Sequence, residues 1–336
     1  MRGGGGGAGF ALRLGIILTL FVTGIAATPP APTRTEDLRR VLGQMKQLSA
    51  ELAVTPASTV PSKETVHYHF EPAGQVGEFG SLRFKFHSPA GICADAQYLY
   101  IADKGNGRIV KMNHEFRYWD EFRIQNEADY PLDSPSNLAL IGAYVVVADS
   151  QNNRIVQFRD DGTYVGQFGK LGITAGFFDT PMALAQNSRR EWVVVDSLNH
   201  RIQTFTDQNK YITELGATGG ESETLKRPTD LVILRDDSVV VADSGAASIK
   251  IYNGEGRWIS GFMGRFKSIA GITIDDQGML YIADTKGGKV FVYTVTGRWV
   301  GQIDTPGPVD VACWGDWVFV TDQVHHCIRK FRRLKG

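Results

Sequence analysis

The segment DSLNHRIQTF (Asp196 to Phe205) recurs in altered form along the chain: DKGNGRIVKM from Asp103, DSQNNRIVQF from Asp149, DSGAASIKIY from Asp243, DTKGGKVFVY from Asp284 and DQVHHCIRKF from Asp322. Each copy reads as a strand end, a polar turn and a second strand, because Asp and Asn favour turns and period-two alternation favours strands. The six aspartates are separated by 46, 47, 47, 41 and 38 residues. Each closes an apolar run, as in LYIAD, VVVAD and VFVTD. About 14 or 15 residues before each aspartate lies another strand, usually entered through proline (SPAGI, SPSNL, TPMAL, RPTDL, GPVDV), with Ile269 taking that place in SIAGI. A turn and a fourth strand follow, as in GTYVGQFG (Gly162 to Gly169) and GRWISGFM (Gly256 to Met263).

Four short strands per repeat, at a period of roughly 40 to 50 residues, predict an all-β, six-bladed β-propeller. Radial packing buries both faces of a blade, which explains continuous runs such as VVVAD in place of strict alternation. The sixth repeat stops at RRLKG without a fourth strand, while AGQVGEFGS (Ala73 to Ser81) resembles the fourth-strand sequence YVGQFGK. Residues 67–80 are therefore expected to complete the last blade and remove an open sheet edge. Residues 67–336 then form one propeller domain.

Ahead of it, Arg2 and Arg13 flank a glycine run, followed by LGIILTLFVTGIAA (Leu14 to Ala27) and small residues. This is the pattern of a secretory signal over residues 1–27. Fourteen apolar residues fall short of the roughly 20 that a spanning helix needs. An uncleaved signal-anchor is the alternative, giving a single-pass protein with a lumenal or extracellular propeller. Residues 28–66 read as a linker. Within 35–54 of it, Leu38, Val41, Met45, Leu48 and Leu52 form a two-heptad apolar seam, a short amphipathic helix suited to weak oligomerisation.

Lys plus Arg equals Asp plus Glu at 36 each, so no global charge draws the chain to nucleic acid or anionic membrane. Three cysteines, Cys93, Cys313 and Cys327, cannot build a disulfide framework, and the apolar strand settings of Cys93 and Cys313 suggest buried thiols.

Five residues after each repeat aspartate stand Arg108, Arg154, Arg201, Ser248, Lys289 and Cys327. The aspartates Asp103, Asp149, Asp196, Asp243, Asp284 and Asp322 are expected to cap the turn, with the base pairing an acid in the same or a neighbouring blade. A catalytic role predicts one special copy; recurrence around a ring predicts scaffolding.

Asn199, His200, Arg201 and Ile202 spell the motif of the NHL-repeat family, and the chain resembles that family from about residue 67 to residue 333. The resemblance implies a propeller, most often six-bladed, and says less about activity. In the amidating lyase of this family, zinc is held by histidines expected just after the first-strand proline. Here those positions are Ala90, Ser136, Met182, Thr229, Ala270 and Val309, none of them a zinc ligand. RNA-binding members use a basic face. Lys170, Lys226, Arg227, Arg265 and Lys267 lie in loops between blades, but Asp129, Asp133, Glu221 and Glu223 share those loops. Lactonase-like propellers hold axial calcium. Two residues after the first-strand proline stand Gly91, Asn137, Ala183, Asp230, Gly271 and Asp310, so Asn137, Asp230 and Asp310 form a threefold oxygen set that suits a structural Ca2+.

No paired carboxylates, nucleophile elbow, phosphate loop or metal cluster points to an enzyme. The favoured reading is a non-enzymatic protein- or peptide-binding scaffold, secreted or lumenal, with no cofactor. Variable connections such as RIQNEADYPLDSP and GKLGITAGFFDTP on a rigid ring are where recognition is expected. Tyr130, Phe177 and Phe178 are candidate apolar anchors, and Lys226 and Arg227, also in loops between blades, are further candidate partner-binding residues. A metal-dependent propeller enzyme and an RNA-binding domain are the alternatives.

Overall fold

The computed structural model describes residues 67–124 and 130–335. The chain divides into two units, Met1–Glu64 and Thr65–Gly336, and every described residue lies in the second. The expected signal, linker and helix fall outside the described residues, and so does Asp129.

The residues form six four-stranded antiparallel sheets. The first strand, β1 (Tyr68–Val76), belongs to the last blade. Blade 1 is β2 (Pro89–Ala94), β3 (Tyr98–Asp103), β4 (Arg108–Asn113) and β5 (Tyr118–Phe122). Blade 2 is β6 (Pro135–Ile141), β7 (Tyr144–Asp149), β8 (Arg154–Arg159) and β9 (Tyr164–Phe168). Blade 3 is β10 (Pro181–Gln186), β11 (Trp192–Asp196), β12 (Arg201–Phe205) and β13 (Tyr211–Leu215). Blade 4 is β14 (Pro228–Ile233), β15 (Val239–Asp243), β16 (Ser248–Tyr252) and β17 (Trp258–Met263). Blade 5 is β18 (Ile269–Ile274), β19 (Met279–Asp284), β20 (Lys289–Thr294) and β21 (Trp299–Asp304). Blade 6 is β22 (Pro308–Trp314), β23 (Trp317–Asp322) and β24 (Cys327–Lys335), with β1 outermost. The inner strands β2, β6, β10, β14, β18 and β22 touch one another in turn around a central axis. The protein is a six-bladed β-propeller.

The second strand of a blade is sandwiched on both faces, so every residue of β11 and β15 is buried. Outer strands such as β17 are mostly exposed. The core is a set of separate apolar clusters between blades. One joins Ile92, Leu99 and Ile101 of blade 1 to Ala312, Phe319 and Ile328 of blade 6. Three residues before each inner strand, a side chain plugs the space beneath the inter-blade connection: Phe86, Leu132, Phe178, Leu225, Phe266 and Thr305 are all buried. The three cysteines are free; Cys327 is buried and the other two are half-buried in β2 and β22.

β1 pairs antiparallel with β24 from Tyr68 opposite Lys335 to Val76 opposite Ile328, with a register shift between Pro72 and Gly74. Arg329 Nη1 donates to Gln75 Oε1 at 3.0 Å across this seam.

Around the axis, small and polar residues alternate because six large side chains cannot meet there. A Cβ built on Gly91 would sit 2.5 Å from the Asn137 Cα, and one on Gly271 would collide with Asp310. Gly91→Ala is expected to lower stability by about 1–3 kcal/mol through overpacking. Urea unfolding that matches the wild type would show that the axis has room to spare.

Candidate functional site

The repeat aspartates sit at the ends of the second strands, all six fully buried. One carboxylate oxygen accepts backbone N–H groups from the connection entering the same blade: His87 to Asp103 at 2.8 Å, Asp133 to Asp149 at 2.7 Å and Asp179 to Asp196 at 2.7 Å. The other meets the base, with Arg108, Arg154 and Arg201 donating through Nε at 2.7, 2.7 and 2.8 Å. Each guanidinium then reaches up to carbonyls of the connection, as Arg201 does to Thr174 and Phe177. It also reaches across to the fourth strand, Arg108 to Glu121 at 2.6 Å and Arg201 to Glu214 at 2.7 Å. The asparagine two residues earlier completes the clamp. Asn199 Nδ2 bridges Asp196 and the Gly172 carbonyl, both at 2.9 Å, and Asn106 and Asn152 do the same in blades 1 and 2. Burial pushes the Asp149 and Asp196 carboxyls above their usual range, against the Asn and Arg hydrogen bonds that hold them down.

The other three blades depart from the expected pairing. In blade 4 the base is Lys250, two residues beyond Ser248, and its Nζ lies 3.3 Å from Asp243 while donating to the Thr224 carbonyl. In blade 6 Arg329, two beyond Cys327, donates to Asp322 at 2.8 Å, beside His325 at 2.9 Å. A two-residue step keeps a strand side chain on the same face, so the base slides without leaving the aspartate. In blade 5 Lys289 turns away to Asp304 on β21, correcting the expected Asp284 pair. Asp284 instead accepts N–H groups from Lys267, Ser268 and Gly287.

At the axis Asn137 Nδ2 donates to Asp230 Oδ1 at 3.0 Å. Asp230 also accepts the N–H of Leu231 and, from the next blade, of Ile272 at 2.7 Å. Asp310 accepts Val311 and, from blade 1, Ile92 at 2.9 Å. These carboxyls pin each following inner strand. Burial and then the Asp310 charge push the Asp230 carboxyl well up; burial pushes Asp310 up to about 7 against its backbone hydrogen bonds. A calcium cage is built from ionised ligands with oxygens turned to the ion. Here every carboxylate oxygen already accepts an N–H and the Asn137 amide nitrogen points inward, so the donor set fits a hydrogen-bonded plug better than a calcium site. Among the described residues no group of three or more His, Cys, Asp or Glu converges as metal ligands. Above the plug, a funnel of about 190 Å³ opens among Ser136, Thr229, Ser244, Ser268 and Arg227.

The inter-blade connections emerge on the same end as the turns after the second strands, tied by bonds such as Ser244 N–H to the Arg227 carbonyl at 3.0 Å. Tyr130 stands exposed there, as expected of an anchor. Phe178 does not. It is fully buried against Phe168 and Phe205, because the connection folds its aromatic inward as the interface plug. Phe177 is half-buried under Lys170, whose Nζ lies 4.5 Å from the ring centre. Lys226 pairs with Glu221 at 3.0 Å, both exposed, while the Arg227 side chain is exposed and makes no ion pair among the described residues.

A feature the repeat reading passed over lies on the outer part of blade 4. A groove of about 730 Å³ runs among Ser248, Lys250, Trp258, Gly261, Phe262 and Met263. It opens where Arg201 and Glu214 stand in blade 3, since Ser248 and Gly261 occupy those positions. The exchange of Arg for Ser in DSGAASIKIY, beside the charge-free fourth strand WISGFM, was the available signal.

The sequence matches no protein-family model, and no curated protein matches it by sequence. Solved structures match the fold. A streptogramin B lyase superposes with a TM-score of 0.57 at 13% identity, over 80% of this chain and 98% of that one. A Bacteroides thetaiotaomicron protein of unknown function gives 0.62 at 16% identity, over 80% and 76%. The WD40 propeller domain of Doa1 gives 0.56 at 11% identity, over 78% and 96%. What these share with the chain is the fold. Enzymes and WD40 domains both stand among them, so architecture alone assigns no chemistry.

Proposed function

We propose that this chain is an NHL-type propeller that binds a protein or peptide without catalysis, in the secretory lumen or outside the cell, through the loops on one end of the ring. The NHL assignment is supported by the Asn199-His200-Arg201-Ile202 motif and by the Asn and Arg clamp that repeats in three blades. The clamps use up the ring's most prominent charged residues in holding the connections still. The compartment is supported by the Leu14 to Ala27 segment.

One observation carries the binding role. The pinned connections hold large apolar side chains out in solvent: Leu82 is 69% exposed, Tyr130 69%, Leu171 65% and Ile173 78%. Large apolar side chains held in solvent by connections on one end of a rigid frame mark that end as the place for an interaction site. The test is proximity labelling in the native cell with the full-length chain and with Ile173→Asp. The substitution is expected to leave the melting curve unchanged and to remove partners from the labelled set. An identical labelled set would sink the reading.

A further inference from the structure

The blade-4 groove and its surroundings point to a more specific occupant, and the argument rests on the loop-end binding role just proposed. In blades 1 and 3 a buried arginine and a fourth-strand glutamate fill the space beneath the connection. In blade 4 Ser248 and Gly261 leave it open. Ser248 is itself more than nine-tenths buried, and its Oγ finds no hydrogen-bond partner among the described residues. The walls are apolar where Trp258, Phe262 and Met263 stand and charged where the Lys226–Glu221 pair and Lys250, paired with Asp243, stand.

Beyond the paired Lys226 and Lys250, several cations of this loop end have no ionic partner among the described residues. The side chains of Arg227, Arg265, Lys267 and Lys286 are all exposed on the loop end of blades 4 and 5, and none makes an ion pair among the described residues. Three of the nearby acids are paired, Glu221 with Lys226, Asp304 with Lys289 and Asp243 with Lys250. Glu223 is exposed and outside any ion pair among the described residues, and Asp284 accepts only backbone N–H groups. Arg227 also lines the axial funnel, so the groove and the funnel flank one cationic segment. The mixed charge of the loops, read along the sequence, thus leaves the four unpaired cations of this loop end facing fewer unpaired acids, Glu223 and the buried Asp284.

We propose that the loop end of blade 4 binds an extended acidic peptide, with an apolar side chain in the groove beside Ser248 and Trp258 and carboxylates on Arg227 and Lys267. An apolar anchor in a pocket supplies most of the affinity, and complementary charge supplies orientation and salt sensitivity.

The test uses the full chain and two fluorescein-labelled nine-residue probes, one alternating Leu and Glu, the other alternating Leu and Lys, read by anisotropy. The Leu/Glu probe is expected to bind and the Leu/Lys probe not to. Ser248→Arg, which restores the side chain found in blades 1 to 3, and Arg227→Glu should each weaken binding by about tenfold or more. Should Ser248→Arg fail to fold by its melting curve, Trp258→Ala carries the groove arm. Equal binding of both probes, no binding of the Leu/Glu probe, or indifference to the groove variants would each overturn the proposal. If labelled partners vanish with Ile173→Asp but persist with Arg227→Glu, the loop-end role stands and the blade-4 site falls.

Discussion

Arg201→Ala is expected to lower the melting temperature by roughly 10 °C, while Lys289→Ala, at the equivalent position two blades on, changes it by a degree or two. The difference follows from burial. Arg201 and Asp196 are both buried, and the guanidinium also holds Glu214 and two carbonyls of the connection. Removing it leaves a buried carboxylate short of a partner, a loss of about 3–5 kcal/mol. Lys289 is half-buried and its partner Asp304 is exposed, so solvent screens the pair, which contributes about 0–1 kcal/mol. Thermal unfolding of the two variants side by side decides the matter. Equal shifts would mean that the clamp is solvated and that the repeat motif holds the blades by some other means.

The second large effect concerns pH. Asp230 and Asp310 are buried at the axis, and both carboxyls are pushed up, Asp310 to about 7. In the unfolded chain an aspartate titrates near 3.9. Between those values the folded protein holds protons that the unfolded chain releases. Stability from Asp310 is therefore fully present below about pH 4 and is lost as pH rises through about 7, and Asp230, also raised, acts in the same direction. Asp310→Asn removes the Asp310 share of that slope and leaves the burial-raised Asp230 carboxyl in place. Relative to wild type, the variant should gain about 2–3 kcal/mol between pH 5 and pH 8. An asparagine can offer only one acceptor oxygen to Ile92 and Val311, which carries a cost, but that cost does not change with pH. Urea unfolding across this range should show the two stabilities converging or crossing as pH rises. Parallel curves would place the axial carboxylates in contact with bulk water.

The ring was legible because six aspartates at near-regular spacing each close an apolar run, and with no helical period between the runs, radially packed sheets are what bury them on both faces. The axial alternation was legible too, since Asn137, Asp230 and Asp310 fall at one repeat position between Gly91, Ala183 and Gly271. Two things were harder to read. Counting five residues from each aspartate hid the slide of the base to Lys250 and Arg329, because residues two apart on a strand share a face. Phe178 read as a surface anchor because it lies in a long connection. Aligning the connections on the following proline instead lines it up with Phe86, Leu132, Leu225 and Phe266, a column of interface plugs. The blade-4 groove needed the strand register: Ser248 and Gly261 lie on adjacent strands, and the cavity comes from both being small at once.

The seam between β1 and β24 has a consequence for biosynthesis. Gln75 and Arg329, which meet across it, are 254 positions apart. At about 5–20 residues per second, the opening strand waits on the order of tens of seconds for its partner to be translated. Throughout that interval the growing arc has two raw ends, and folding catalysts have their longest access to it. A ribosome that stalled within the last strand would release a crescent.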